Sequence, residues 1–77
     1  MRSLDAVRLM LERSDMSPYR AAVAMGRNPS YMSGMLRRGS VPSADILSEI
    51  ARACGYRLDL IPLDGSESIH IDGGGAG

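Results

Sequence analysis

The chain has 77 residues, which is enough for one small domain with a modest hydrophobic core. A single cysteine, Cys54, and a single histidine, His70, exclude an internal disulfide and leave too few ligands for a metal site, so no cofactor is expected. The nine arginines balance the nine acidic residues, but all nine arginines precede Leu58. Residues 16–44 hold four arginines and no acidic residue, a distribution typical of one phosphate-binding face.

Two helices are predicted in the first third of the chain. The first spans residues 4–14, because Ser3 is a helix-capping residue and apolar residues recur after it at helical spacing. The second spans residues 18–25, where Ser17 supplies the cap and a proline occupies the first helical position. Gly26 ends this helix and begins a turn of about three residues that leads into the next one.

Two further helices are predicted after this turn. The third is expected over residues 29–37 with Asn28 as its cap, because its apolar side chains lie three and four residues apart. Ser43 caps a fourth helix, whose apolar stripe ends before Gly55. Residues 1–55 are therefore predicted to form one helical domain.

A β-hairpin is predicted after the helices, because the apolar residues change from helical spacing to strict alternation. The Asp64-Gly65 turn signal lies between the two strands. A two-stranded hairpin is marginal alone, so residues 56–72 are predicted to be a dimerisation element that pairs with a second chain. The glycine-rich residues 73–77 are predicted to form a flexible tail. The residues assigned to the dimer contact are Leu58, Leu60, Ile69 and Ile71.

Five features of residues 17–55 occur in a characteristic order. They are a capping serine, an alanine inside the second helix, a turn glycine, an apolar residue followed by serine in the third helix, and a Pro-Ser pair before the fourth. In this chain they are Ser17, Ala22, Gly26, Met32-Ser33 and Pro42-Ser43. Together they resemble the phage-repressor helix-turn-helix family (Cro/lambda-repressor type, XRE). The resemblance implies a mainly α fold, with a four- to five-helix repressor-like bundle, followed here by the short C-terminal hairpin.

The resemblance also implies that residues 1–55 are a helix-turn-helix DNA-binding domain, and that the third helix enters the major groove of double-stranded DNA. Pro29 and Gly34, at groove-facing positions, carry no side-chain donor, so specificity is expected from few base contacts together with DNA shape. Arg37 and Arg38, at the end of this helix, are expected to contact phosphate. The predicted DNA-binding residues are Ser17, Arg20, Arg27, Asn28, Pro29, Ser30, Tyr31, Ser33, Gly34, Arg37 and Arg38.

These features predict a transcriptional repressor that binds a palindromic operator as a homodimer, with one recognition helix per half-site. The alternative is an antitoxin or regulatory subunit, in which the acidic hairpin binds a protein partner such as a toxin. An enzyme is not expected, because one histidine and scattered acids form no nucleophile–base pair. A cytoplasmic protein without a membrane partner is predicted, since the charged first residues do not resemble a signal peptide and no apolar stretch is long enough to span a bilayer.

Overall fold

The computed structural model describes residues 1–72, which form four α-helices followed by a two-stranded antiparallel sheet. About half of the chain is helical, in agreement with the predicted mainly α fold. Residues 73–77, predicted to be a flexible tail, lie outside the described residues. The elements are α1 (Ser3–Arg13), α2 (Pro18–Ala24), α3 (Tyr31–Arg38), α4 (Ala44–Ala53), β1 (Leu58–Leu60) and β2 (Ile69–Ile71).

The starts of α2 and α4 follow the predicted capping. Ser17 Oγ accepts a hydrogen bond from the backbone N–H of Arg20 at 3.1 Å, and Ser43 Oγ accepts one from the backbone N–H of Ile46 at 3.2 Å. Each bond satisfies one of the N–H groups that have no partner within the first turn of a helix. Both predicted caps are therefore confirmed.

The predicted cap of α1 is wrong by one residue. Arg2, and not Ser3, occupies the N-cap position, and Asp5 in the first turn accepts a hydrogen bond from the backbone N–H of Arg2 at 3.1 Å. The helix also ends one residue earlier than predicted, with Ser14 as its C-cap. The acidic side chain at the third helical position thus fixes the start of α1, because it reaches back to an otherwise free N–H group.

The predicted start of α3 is also wrong. Asn28 Oδ1 accepts hydrogen bonds from the backbone N–H and the hydroxyl of Ser30 at 2.9 and 2.8 Å, and the backbone carbonyl of Asn28 accepts from the N–H of Tyr31 at 2.9 Å. These bonds close a tight turn that contains Pro29, because asparagine side chains favour such turns and proline fits within them. The helix begins only after this turn, at Tyr31, and ends at Arg38.

One hydrophobic core lies between the four helices. Each helix contributes at least one side chain with no exposed surface, and no fifth helix is present within residues 1–72. Because free energy of unfolding scales with the apolar area removed from water, this core provides most of the stability of the helical part. The buried core residues are Val7, Leu11, Ala21, Ala22, Met32, Met35, Ile50 and Cys54.

The predicted hairpin is present. The turn between its strands includes Gly65, which has a φ of +81° and donates its N–H to the carbonyl of Pro62 at 3.4 Å. Both strands contact α4, where the buried hydroxyl of Ser48 donates to the carbonyl of Ile71 at 2.7 Å. In the register of the sheet, Leu58 lies opposite Ile71, Asp59 opposite His70 and Leu60 opposite Ile69.

Candidate nucleic-acid interface

The helices α2 and α3 contact each other closely. Ala21 and Ala22 of α2 and Met32 of α3 are fully buried in the same core cluster. Alanine side chains are short, so the backbones of two helices can approach closely where alanine lies between them. The position of α3 on the molecule is therefore fixed by the side that packs against α2. The opposite side of α3 is left for other contacts.

The connection between α2 and α3 begins with a helix-ending motif. Gly26 has a φ of +73°, its N–H donates to the carbonyl of Val23 at 2.9 Å, and the N–H of Arg27 donates to the carbonyl of Ala22 at 3.0 Å. This pair of bonds is the Schellman motif, which requires a left-handed residue that glycine adopts readily. With the Asn28 turn, the connection covers six residues, 25–30, whereas about three were predicted.

One side of α3 is turned away from the core. Met32 and Met35 are buried on its inner side, and the opposite side carries residues at the helical spacing of three and four. We call this opposite side the outer face of α3. It consists of Ser30, Ser33, Gly34, Arg37 and Arg38, of which all except Gly34 are exposed.

A shallow cleft of about 540 Å³ lies between the start of α2 and the start of α3. Tyr19, which exposes 62% of its surface, lies at this cleft and was not among the predicted residues. Its position off the apolar stripe of α2 is the sequence signal that could have identified it. The cleft therefore joins five predicted residues with two others; its lining consists of Ser17, Pro18, Tyr19, Asn28, Pro29, Ser30 and Ser33.

Two of the predicted residues contact other parts of the protein. Arg27 Nη2 lies 3.2 Å from both carboxylate oxygens of Glu49 on α4, and the guanidinium carbon of Arg27 lies 4.8 Å from the centre of the Tyr31 ring. Arg27 and Tyr31 are both half-buried. In this structure they link the α2–α3 connection to α4, because a guanidinium can pair with a carboxylate and stack on an aromatic ring at the same time.

The arginines of residues 16–44 have different surroundings. Arg20 lies beside a second cleft whose lining includes Glu12 and Asp15 of the first helix and the loop after it. Within residues 1–72, none of Arg20, Arg37 and Arg38 has a carboxylate oxygen within 4.0 Å, so Arg27 alone among these four arginines forms an ion pair there. Arg37 and Arg38 therefore bring two adjacent guanidinium groups, neither of them in an ion pair within this part of the chain, to the C-terminal end of α3.

Another arginine at this end was not predicted. Arg8 of α1 donates from Nη2 to the backbone carbonyl of Leu36 in the last turn of α3, at 3.3 Å. A cation at this place is favourable, because the last carbonyls of a helix lack intrahelical partners and carry partial negative charge. The contact joins residues 28 positions apart, so the sequence pattern of α1 gave no signal for it.

The four residues predicted for a dimer contact lie on one face of the hairpin, but they form two different pairs. Leu58 and Ile71 are half-buried at the end where Ser48 contacts the sheet. Leu60 and Ile69 expose 54% and 60% of their surfaces. Only the second pair is largely free for a contact with another molecule.

Comparisons with protein-family models, with curated proteins and with solved structures gave no match to this chain. Within residues 1–72, no group of three or more His, Cys, Asp and Glu side chains is placed to hold a metal ion. In the same part of the chain, no helix combines the length and the apolar character needed to cross a bilayer. The groups that the outer face of α3 offers to a ligand are guanidinium and hydroxyl groups, which bind phosphates and base edges in nucleic acids.

Proposed function

We propose that the chain is a sequence-specific DNA-binding regulator that places α3 in the major groove. The observation that supports this most is the pair Arg37 and Arg38, exposed at the end of α3 without a carboxylate nearby among residues 1–72. Arginine is the residue best suited to phosphate and to base edges, because its planar guanidinium donates several hydrogen bonds at once. The narrow outer face of α3 suits a groove roughly 12 Å wide.

The two ends of α3 would then contact the backbone on either side of the groove. At the first end lie the hydroxyl and amide groups around the cleft, including Ser17 and Asn28. At the other end lie the two arginines, about 12 Å further along for a helix of eight residues. This arrangement agrees with the resemblance of residues 17–55 to the helix-turn-helix of phage repressors, and it makes transcriptional repression in the cytoplasm the proposed role.

We further propose that the active form is a dimer joined through the hairpin. Leu60 and Ile69 are exposed next to each other on one face, and a two-stranded sheet leaves the outer edge of each strand without a strand partner. Pairing with the same edge of a second copy about a two-fold axis would cover both features. The dimer would present two copies of α3 to half-sites about one turn of DNA, roughly 34 Å, apart.

Selection of bound sequences from random DNA, followed by affinity measurements at several salt concentrations, tests the DNA-binding proposal. Replacing both arginines, Arg37→Ala with Arg38→Ala, should reduce the slope of log affinity against log salt by about 0.9 for each of the two side chains that contacts a phosphate, and therefore by about one unit at least. The matched control is Arg13→Ala with Arg52→Ala, which removes the same charge from α1 and α4, and should leave most of the slope intact.

Two results would contradict this proposal. The first is a failure of the unmodified chain to enrich any sequence from random DNA. The second is an equal loss of slope in both double variants, because that loss would reflect net charge and not a contact made by α3.

Light scattering of the full chain tests the dimer. Replacing Leu60 and Ile69 together by serine should convert the dimer to a monomer, whereas Val41→Ser, at a position that exposes 77% of its surface in the α3–α4 loop, should not. A monomeric unmodified chain would overturn the dimer proposal. It would favour the antitoxin alternative, in which the exposed apolar residues and the acids of the hairpin contact a protein of different sequence.

A further inference from the structure

One position on the outer face of α3 has no side chain. Gly34 lies at the middle of this face and in the middle of the helix. It is not among the glycines with positive φ, so its backbone conformation does not require glycine. Glycine inside a helix is less favourable than alanine, because it loses more conformational freedom on folding. The missing side chain therefore provides space, and not a special backbone conformation.

Arg38 fills that space. A Cβ atom at position 34 would lie 2.9 Å from Arg38 Nη1, and the next nearest atoms are Cζ and Nη2 of the same guanidinium, at 3.8 and 4.0 Å. The guanidinium of Arg38 thus lies across α3, one turn back from its own backbone, and covers Gly34. Gly34 is buried for this reason although it belongs to an exposed face.

Arg37 has no glycine one turn earlier over which its guanidinium could lie. The residue four positions before it is Ser33, which carries a side chain, whereas the residue four positions before Arg38 is Gly34. The two neighbouring arginines therefore differ in surroundings. Arg38 lies over the middle of the outer face, and Arg37 has no corresponding recess on the helix.

We propose that Arg38 reads a guanine base in the major groove, and that Gly34 is the positioning residue that makes room for its guanidinium. This inference rests on the proposed DNA binding by α3. Guanine offers two acceptors, O6 and N7, and a guanidinium donates to both at once with matching geometry. Serine hydroxyls on the outer face make weaker contacts that distinguish bases less well.

In this role, Arg38 gives α3 a base-reading group that the serines and the glycine of its outer face do not provide. A guanidinium already seated over the helix loses less side-chain freedom on binding than one that must be ordered from solution. An alanine methyl at position 34 would meet Nη1 at 2.9 Å and displace the guanidinium. Gly34→Ala should therefore change base preference without weakening the helix.

The experiment compares sequence selection and competition binding for five forms of the full chain. They are the unmodified chain, Arg38→Ala, Arg38→Lys, Gly34→Ala and, as the matched control, Arg37→Ala. The unmodified chain should prefer G·C at one position of each half-site by roughly 5- to 150-fold over the other base pairs. Arg38→Ala should remove the preference at that position and leave the other positions unchanged. Arg38→Lys should keep the salt slope but lose most of this preference, because an ammonium group is not a planar fork.

Gly34→Ala should reduce the preference at the same position without lowering the melting temperature, and Gly34→Ala with Arg38→Ala should reduce it no further. Arg37→Ala should lower affinity for all sequences about equally. Retention of the G·C preference in Arg38→Ala would overturn the inference while leaving DNA binding intact. A retained preference in Gly34→Ala would overturn the role of Gly34. Absence of any selected sequence for the unmodified chain would instead overturn the proposed function itself, and this inference with it.

Discussion

Residues 3–53, which carry the helices, and residues 58–71, which form the hairpin, are stabilised by different interactions. In the helical part, Val7, Ala21, Met32 and Ile50 each come from a different helix and have no exposed surface. In the two strands every residue is half-buried or exposed. Apolar burial therefore dominates the first region, whereas strand pairing and the contact with α4 hold the second. The two regions should differ in local stability, with the hairpin opening more easily.

The largest expected effect separates the two regions directly. Ile50→Ala removes a fully buried side chain from α4 and should lower the free energy of unfolding by about 2–5 kcal/mol, because it loses transfer free energy and leaves a cavity. Leu60→Ala in the exposed part of the hairpin is the matched control and should cost under about 1 kcal/mol in the monomer. Urea unfolding followed by circular dichroism, at one protein concentration, measures both. Equal losses would mean that the hairpin is part of the same cooperative core.

The sequence predicted the features that depend on neighbouring residues. Ser17 and Ser43 each cap a helix through a bond to a residue three positions away, so their roles follow from local pattern. The strands were predicted for the same reason, from alternation and the Asp64-Gly65 turn. Asn28 was assigned to the wrong local structure, because an asparagine before Pro29 can cap a helix or close a turn, and the sequence supports both.

The features that depend on distant residues were not predicted. Arg27 was assigned to DNA contact from its place in an acid-free segment, but in the structure it pairs with Glu49, 22 positions later. Arg8 of α1 also contacts a distant residue, since it donates to the backbone carbonyl of Leu36 in α3, 28 positions later. The sequence was enough to place the candidate interface at the α2–α3 region. Which arginines have partners within the protein depends on how the helices pack, and no sequence spacing gives that information.

The second prediction concerns the contact between the two regions. Ser48 exposes only 1% of its surface, and its hydroxyl donates to the carbonyl of Ile71 at 2.7 Å. Ser48→Ala removes the donor and leaves that carbonyl without this partner, which should cost about 1–3 kcal/mol. The loss should be concentrated in the hairpin, as faster amide hydrogen exchange at residues 69–71, while exchange in α1 changes little.

Ser14→Ala is a suitable control for this prediction. Its hydroxyl makes a bond of the same length, 2.7 Å, to a carbonyl within α1, so the variant loses similar chemistry without touching the hairpin. If Ser14→Ala and Ser48→Ala accelerated exchange at the same residues, the Ser48 contact would not be the specific link between α4 and the sheet.

The smallest expected effect is a pH dependence of the hairpin. Asp59 Oδ1 lies 2.6 Å from His70 Nδ1, on the strand face opposite Leu60, and Asp59 Oδ2 accepts from Arg57 at 3.1 Å. The hydrogen bond with His70 is the main reason that the pKa of Asp59 falls below its ordinary value of 3.8; desolvation opposes this shift and the Arg57 contact adds to it.

Because the folded pKa of Asp59 is the lower one, its contribution to stability is fully present above pH 3.8 and is lost as the pH falls through the folded pKa. Hydrogen exchange at residues 58–60 and 69–71 should therefore show additional local opening below pH 3.8, and Asp59→Asn should remove that pH dependence. Asp64, whose pKa is lowered by its bonds with Ser66 in the turn, provides the control. In Asp64→Asn, the paired strands should still open below pH 3.8. If this variant showed no such opening, the pH dependence would arise in the turn and not in the strands.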